Sequence, residues 1–301
     1  MRKGIVLFIT LSVIVAMLAL VGVIFSYLDK SKKNASQTAA LIQANLFYHD
    51  SNQAVKGLLQ KASKDKEMKD TVLSTLYLAP ITIQPEESEI FVTIECSPLN
   101  KAVNINWLGY EDNASMQLHF VTVHRVFSRL VEEYDISNAT LLLEKLTEAI
   151  KAEGLAVSEN PTRLMQKKGI ISLRQLQRIV REYQFETDDP KIDTIAWEKF
   201  FSFDREGTLM DANYLSAELI AILFDLELES VTEEWFEGDE LKSFIASSGA
   251  DASLYNKTLY SEVLTERMHC NVTYSYQDEI YSFGFDYLEG KAEKFEFYGK
   301  Q

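Results

Sequence analysis

The chain has 301 residues, 47% of them hydrophobic, with only 5 prolines and 12 glycines, so it can build one or two packed units and is not a disordered tail. Its net charge is −15, and because residues 1 to 33 carry +4, the remainder carries −19. So acidic a body repels phosphate backbones, which argues against nucleic acid as a partner and for proteins or divalent cations.

No charged residue occurs in the 24 positions from Ile5 to Leu28. As a helix this run reaches ~36 Å, enough to cross a bilayer core once. A removable secretory signal has a hydrophobic stretch of only about 7 to 15 residues, so the segment reads as a retained anchor. Arg2 and Lys3 flank one end and Lys30, Lys32 and Lys33 the other, so charge alone barely decides the orientation. A short N-terminus before a long body is compatible with an external C-terminus.

The opening Met1-Arg2-Lys3-Gly4, running directly into Ile5-Val6-Leu7-Phe8-Ile9, resembles the leader of type IV pilin-like proteins. That resemblance implies cleavage by a prepilin peptidase between Gly4 and Ile5 and methylation of the new N-terminus. Most such proteins carry Glu at the fifth position after the cut, where this chain has Ile9. Beyond the anchor, Leu41, Ala44, Tyr48, Val55, Leu58 and Ala62 keep a spacing of three and four, interrupted by polar Ser51. The helix is therefore predicted to continue as an amphipathic stem.

Ile90 to Cys96 alternates and is β-branched, which predicts a strand. The period then becomes helical. Phe120, Val123, Phe127, Leu130 and Tyr134 share one face, and Leu142, Leu143, Leu146, Ala149 and Ile150 the next. Ser172 followed by Gln175 forms a capping box before Leu173, Leu176, Ile179, Val180 and Tyr183. Further helices are predicted over Leu215 to Leu226, and after Ser230 through Trp235, Leu241, Phe244 and Ile245 to Gly249. Strands return at Met268–Tyr276, Ile280–Tyr287 and Lys291–Tyr298, separated by Gln277-Asp278-Glu279 and Glu289-Gly290, as in a β-meander. This order suggests one α+β domain interrupted by a helical insertion. Cys96 and Cys270 would then share a sheet; they form one disulfide in an oxidising compartment or remain two buried thiols in a reducing one.

Two stretches, Lys101-Ala102-Val103-Asn104-Ile105-Asn106-Trp107-Leu108 and Glu206-Gly207-Thr208-Leu209-Met210-Asp211-Ala212-Asn213-Tyr214-Leu215, resemble the paired "GK-I-N-x-N" motifs of the K-type minor pseudopilins of type II (general) secretion. The second departs from the pattern, with Asp211 for the first Asn while Asn213 keeps the second. Asn160-Pro161-Thr162 through Ser172-Leu173-Arg174-Gln175-Leu176 is similar to that family's "N-P-F…S-L-x-E-L" segment. From the residues alone, Asn before a helix is foremost a cap for unsatisfied backbone N–H groups. The resemblance implies a pilin-like antiparallel sheet with a large inserted lobe of SAM-like helical bundles. Its expected divisions are a leader over 1–4, a transmembrane helix over 5–28, stem and first strand over 29–100, the inserted lobe over 101–250 and closing strands over 251–301.

The family's function would make the chain a tip subunit that initiates and caps a periplasmic pseudopilus for protein export, anchored by a single pass in the inner membrane. Ile9 suits that place, since a subunit without Glu there offers nothing to one above it. Implied partners are the other minor pseudopilins, the major pseudopilin, the prepilin peptidase and the inner-membrane secretion platform. The rivals are a minor pilin of a type IV pilus or DNA-uptake machine and an unrelated signal-anchored envelope protein.

No catalytic site is expected. His49, His119, His124 and His269 form no H-E-x-x-H, and there is no G-x-S-x-G, Walker loop or dinucleotide fingerprint. Asp204-Arg205-Glu206-Gly207 is similar to a calcium loop, but its Gly comes two positions early for an EF-hand. Glu186, Asp188, Asp189 and Asp193 read as a solvated loop. The resemblance implies calcium in the inserted lobe, with no ligand set assigned here and no other cofactor. Glu111-x-Asn113-x-Ser115 fits a bacterial N-glycosylation sequon.

Overall fold

The structure is a computed structural model that describes residues 2–62, 65–83, 91–151, 169–204, 206–261, 263–276 and 279–300. Helix α1 (Arg2–Ala62) is continuous, and its N-terminal part is long and apolar enough to cross a bilayer, with Met17, Leu18 and Val23 exposed. Helix α2 (Lys66–Leu78), capped by the Asp65 carboxylate, packs on the stem, and β1 (Ile81–Ile83) and β2 (Val92–Pro98) follow.

The chain then enters a lobe built from β3 (Val103–Asn104), a 3-10 turn over Ile105–Tyr110, α3 (Gln117–Glu133), α4 (Ala139–Lys151), α5 (Leu173–Thr187), α6 (Trp197–Phe200), β4 (Phe201–Ser202), β5 (Met210–Asp211), α7 (Ala217–Phe224), α8 (Leu228–Glu234), α9 (Leu241–Ser247) and β6 (Tyr260–Ser261). It returns through β7 (Arg267–Tyr276), β8 (Glu279–Leu288) and β9 (Lys291–Lys300). One antiparallel sheet, in the order β1-β2-β7-β8-β9, gathers the strands on both sides of the lobe. Glu289 and Gly290, both at positive φ, close the β8–β9 hairpin with the twist that flanking strands require.

Alternation explains which face of the sheet is buried. Ile94, Cys96, Met268, Cys270, Val272, Tyr274, Phe283, Phe285 and Tyr287 point to the stem, where Ala40, Ala44, Val55 and Leu59 meet them. Each buried aromatic contributes about 2–3 kcal/mol. Tyr274 also donates its hydroxyl to the Ala40 carbonyl at 2.6 Å, and Tyr48 sets its ring edge on Phe285. The early stem thus lies at the Tyr274–Tyr281 end of the sheet, where Ser36 also meets the Tyr281 hydroxyl. The lobe leaves from the opposite end, at Pro98 and Arg267. The lobe therefore stands at the end of the head remote from the anchor.

A second core lies wholly within the lobe, around Trp107, Val126, Phe127, Leu142, Tyr183, Phe201, Leu223 and Tyr260. It runs on to Leu259 and Tyr260, past the expected boundary at Ala250, because β6 pairs in parallel with β5. The lobe also holds the parallel pair β3–β4 beside its helices.

Other expectations shift in detail. The buried stem row is Ala40, Ala44, Ser51, Val55, Leu59 and Ala62, with Leu41 and Leu58 partly exposed and Ser51 inside the seam. The single helix expected after Ser230 is two: Ser230 falls inside α8, and Gly238, at φ +104°, turns the chain before α9. Ile90, Asn160, Pro161, Thr162, Gln277 and Asp278 lie outside the described residues.

Candidate functional site

The two motif turns have one local plan: a two-residue strand in a parallel pair, then a 3-10 turn. In the first, β3 ends at Asn104, whose side-chain oxygen accepts from the Asn106 N–H at 3.0 Å. The Asn104 amide group donates to the carbonyls of Asp204 and Gly207, tying β3 to the loop after β4. Asn106 reaches across the lobe, donating to the Ile170 carbonyl at 2.9 Å and accepting from the Ile170 N–H at 2.8 Å. Trp107 adds an indole N–H bond to Gly207 O. Both asparagines are buried and their amides are occupied by backbone.

In the second turn Asp211 ends β5 but makes no side-chain cap. Its Oδ1 accepts from the Thr265 hydroxyl at 3.2 Å, while buried Oδ2 has no hydrogen-bond partner. Burial pushes this carboxyl up to about 6 against the help of Thr265. Asn213 instead braces the start of α9 and the turn before it: its side-chain oxygen accepts from Leu241 N and its carbonyl from Gly238 N.

Between the turns lies the seam that joins lobe to sheet. Arg267, at the start of β7, donates from Nε and Nη2 to Asp204 Oδ2 at 3.0 and 2.7 Å, and Asn100 Nδ2 donates to the same oxygen. Tyr77 of α2 sets its ring edge on Tyr214 and donates to the Thr265 carbonyl. Lower on the sheet, Cys96 and Cys270 are register partners and are disulfide-bonded. Gly4, Ile5 and Ile9 lie in the first turns of α1, and their side chains are outside those described.

No protein-family model matches the sequence, and no curated protein does either. Among solved structures, a chain of the GspK-GspI-GspJ complex from the enterotoxigenic Escherichia coli type 2 secretion system aligns over 88% of this chain and 98% of its own, with a TM-score of 0.55 and 14% identity. The chain has the fold of a subunit of that complex.

The other polar groups singled out in the sequence have the following partners. Both oxygens of the Asp204 carboxylate are engaged, Oδ2 by Arg267 and Oδ1 by Glu206 N. No group of three or more His, Cys, Asp or Glu side chains among the described residues converges as a metal site. Of the acidic run, Asp189 accepts from Ser137 and Lys191 N, Asp193 from Gln184, and Glu186 from Lys145. His119 stacks edge-on against Trp107 and meets Thr208 O, and His269 meets Asp286 at 2.7 Å. Sequence reasoning missed Asn100, Asp204 and Arg267 as a unit, because nothing local to any of them signals partners 63 and 104 residues away.

Proposed function

We propose that the chain is a K-type minor pseudopilin that helps initiate and cap the pseudopilus of a type II secretion system. The observation that carries this reading is topological: a lobe with its own core is threaded between β2 and β7 of a sheet that packs on a continuous N-terminal stem. The likeness to a chain of the GspK-GspI-GspJ complex covers stem, sheet and lobe together, and other minor pseudopilins are the partners it supports.

Two further features agree. A disulfide persists in oxidising compartments, which favours a periplasmic head on an inner-membrane anchor. Ile9 offers no carboxylate to neutralise the amino terminus of a subunit above, and an unpaired charge within the bilayer is expensive, so the chain belongs where no subunit follows it. The lobe, remote from the anchor, then forms the leading end of the fibre.

Mass spectrometry of the N-terminus after expression with an active prepilin peptidase tests the reading. A chain beginning at methylated Ile5 is expected. One still beginning at Met1 overturns it.

A further inference from the structure

We propose that copies of this chain associate side by side in the plane of the membrane, the α5 face of one copy docking on the α8–α9 face of the next. The proposal does not depend on the function given above.

Helix α5 presents Arg174, Arg178, Arg181 and Phe185 along one exposed stripe, at spacings of four, three and four. Phe185 is 92% exposed. In a chain this rich in carboxylates, Arg129, Lys145, Lys151, Lys191 and Lys199 each meet one. Arg178 and Arg181 are exposed and meet none among the described residues. The helix is held rigidly for this display: Gln175 closes the capping box on Ile171, Tyr183 accepts from Asn138 N, and Arg174 bridges to Glu296 over the Tyr298 ring. Arginine beside an exposed aromatic is the composition of an interface centre.

The complementary surface is on the same molecule. From Glu227 to Glu240 the chain carries seven acidic residues and no base, all seven exposed, with Phe236 at 67% exposure among them. The two surfaces overlie opposite edges of the sheet. Arg174 rests on β9, the last strand, whereas Gly238 abuts Leu78 at the end of α2, which packs on β2 next to the first strand. Copies anchored in parallel in one bilayer therefore bring the basic face of one against the acidic face of its neighbour. Such a contact is heterologous and extends into rows or closes into rings. Anionic lipid is the poorer occupant of α5, because the lobe stands at the end of the head remote from the anchor.

Sedimentation of the full chain in detergent, with micelles in excess, tests this. Association is expected at low ionic strength, weakening at least tenfold in about 1 M salt, where charges are screened beyond ~3 Å. Arg178→Glu with Arg181→Glu is expected to leave the chain monomeric, as is Glu233→Arg with Glu234→Arg; mixing the two variants restores association, since each now offers the other an opposite face. A wild-type chain that stays monomeric at low salt, or a mixture no more associated than its components, overturns the proposal.

Discussion

Cys96 on β2 and Cys270 on β7 stand directly opposite one another, bonded across 174 residues of sequence that contain the whole lobe. The bond fixes the two ends of the insertion to one point of the sheet, so the lobe hangs from a closed loop. Because a cross-link over so long a loop restricts the unfolded chain most, it contributes roughly 2–5 kcal/mol. Replacing both cysteines with alanine is expected to lower the denaturant midpoint of the head accordingly, and added reductant is expected to do the same to the native chain but not to the variant.

Asn106 holds both backbone groups of Ile170 in the lobe interior. Asn106→Ala leaves a buried N–H and a buried C=O unpaired, and roughly 2–4 kcal/mol of lobe stability is expected to go with them. Hydrogen exchange followed by mass spectrometry checks the location: protection is expected to fall around residues 103–110 and 169–171 while the stem and sheet keep theirs.

Asp211 carries its penalty in the opposite pH direction from an ordinary paired carboxylate. With a folded value of about 6 against an ordinary 3.8, the folded state holds the proton more tightly. No penalty exists below the unfolded value; it grows as pH rises between the two values and is complete above the folded one, at about 3 kcal/mol. Asp211→Asn is therefore expected to be the more stable protein at neutral pH and to lose most of that advantage near pH 4. A stability difference that does not vary with pH would refute this assignment.

Arg267 compensates Asp204 in the seam, where the two side chains are 17% and 5% exposed. Arg267→Ala strands a buried carboxylate, at a cost of about 3–5 kcal/mol. Faster limited proteolysis between Pro98 and Val103 is the expected sign that the lobe has come loose from the sheet; unchanged cleavage there would show that the seam is held elsewhere.

Much of this fold was legible because its elements repeat a period. The alternation in Met268–Tyr276 and Ile280–Tyr287 and the capping box at Ser172 give β7, β8 and α5 nearly to the residue. Elements without a period were not legible. The two-residue strands β3 to β6 are too short to alternate, so the lobe's true end at Tyr260 reads as loop. Helix α2 falls between the stem and the first strand, with only the Asp65 cap to mark it in the sequence. Ser51 breaks the apolar row in the sequence, yet its small side chain is buried with that row against the sheet. Capping preference alone makes both asparagines of the first motif local caps; Asn104 is one, but Asn106 gives its amide to Ile170, a partner that only tertiary structure supplies.

Assembly of this chain with minor pseudopilins, the function proposed above, is checked by co-expressing the full chain with the minor pseudopilins encoded in the same genome and isolating it from detergent-solubilised membranes. A complex that survives purification and contains at least one of them is expected. Recovery of the intact, disulfide-bonded chain with none of them bound would contradict it.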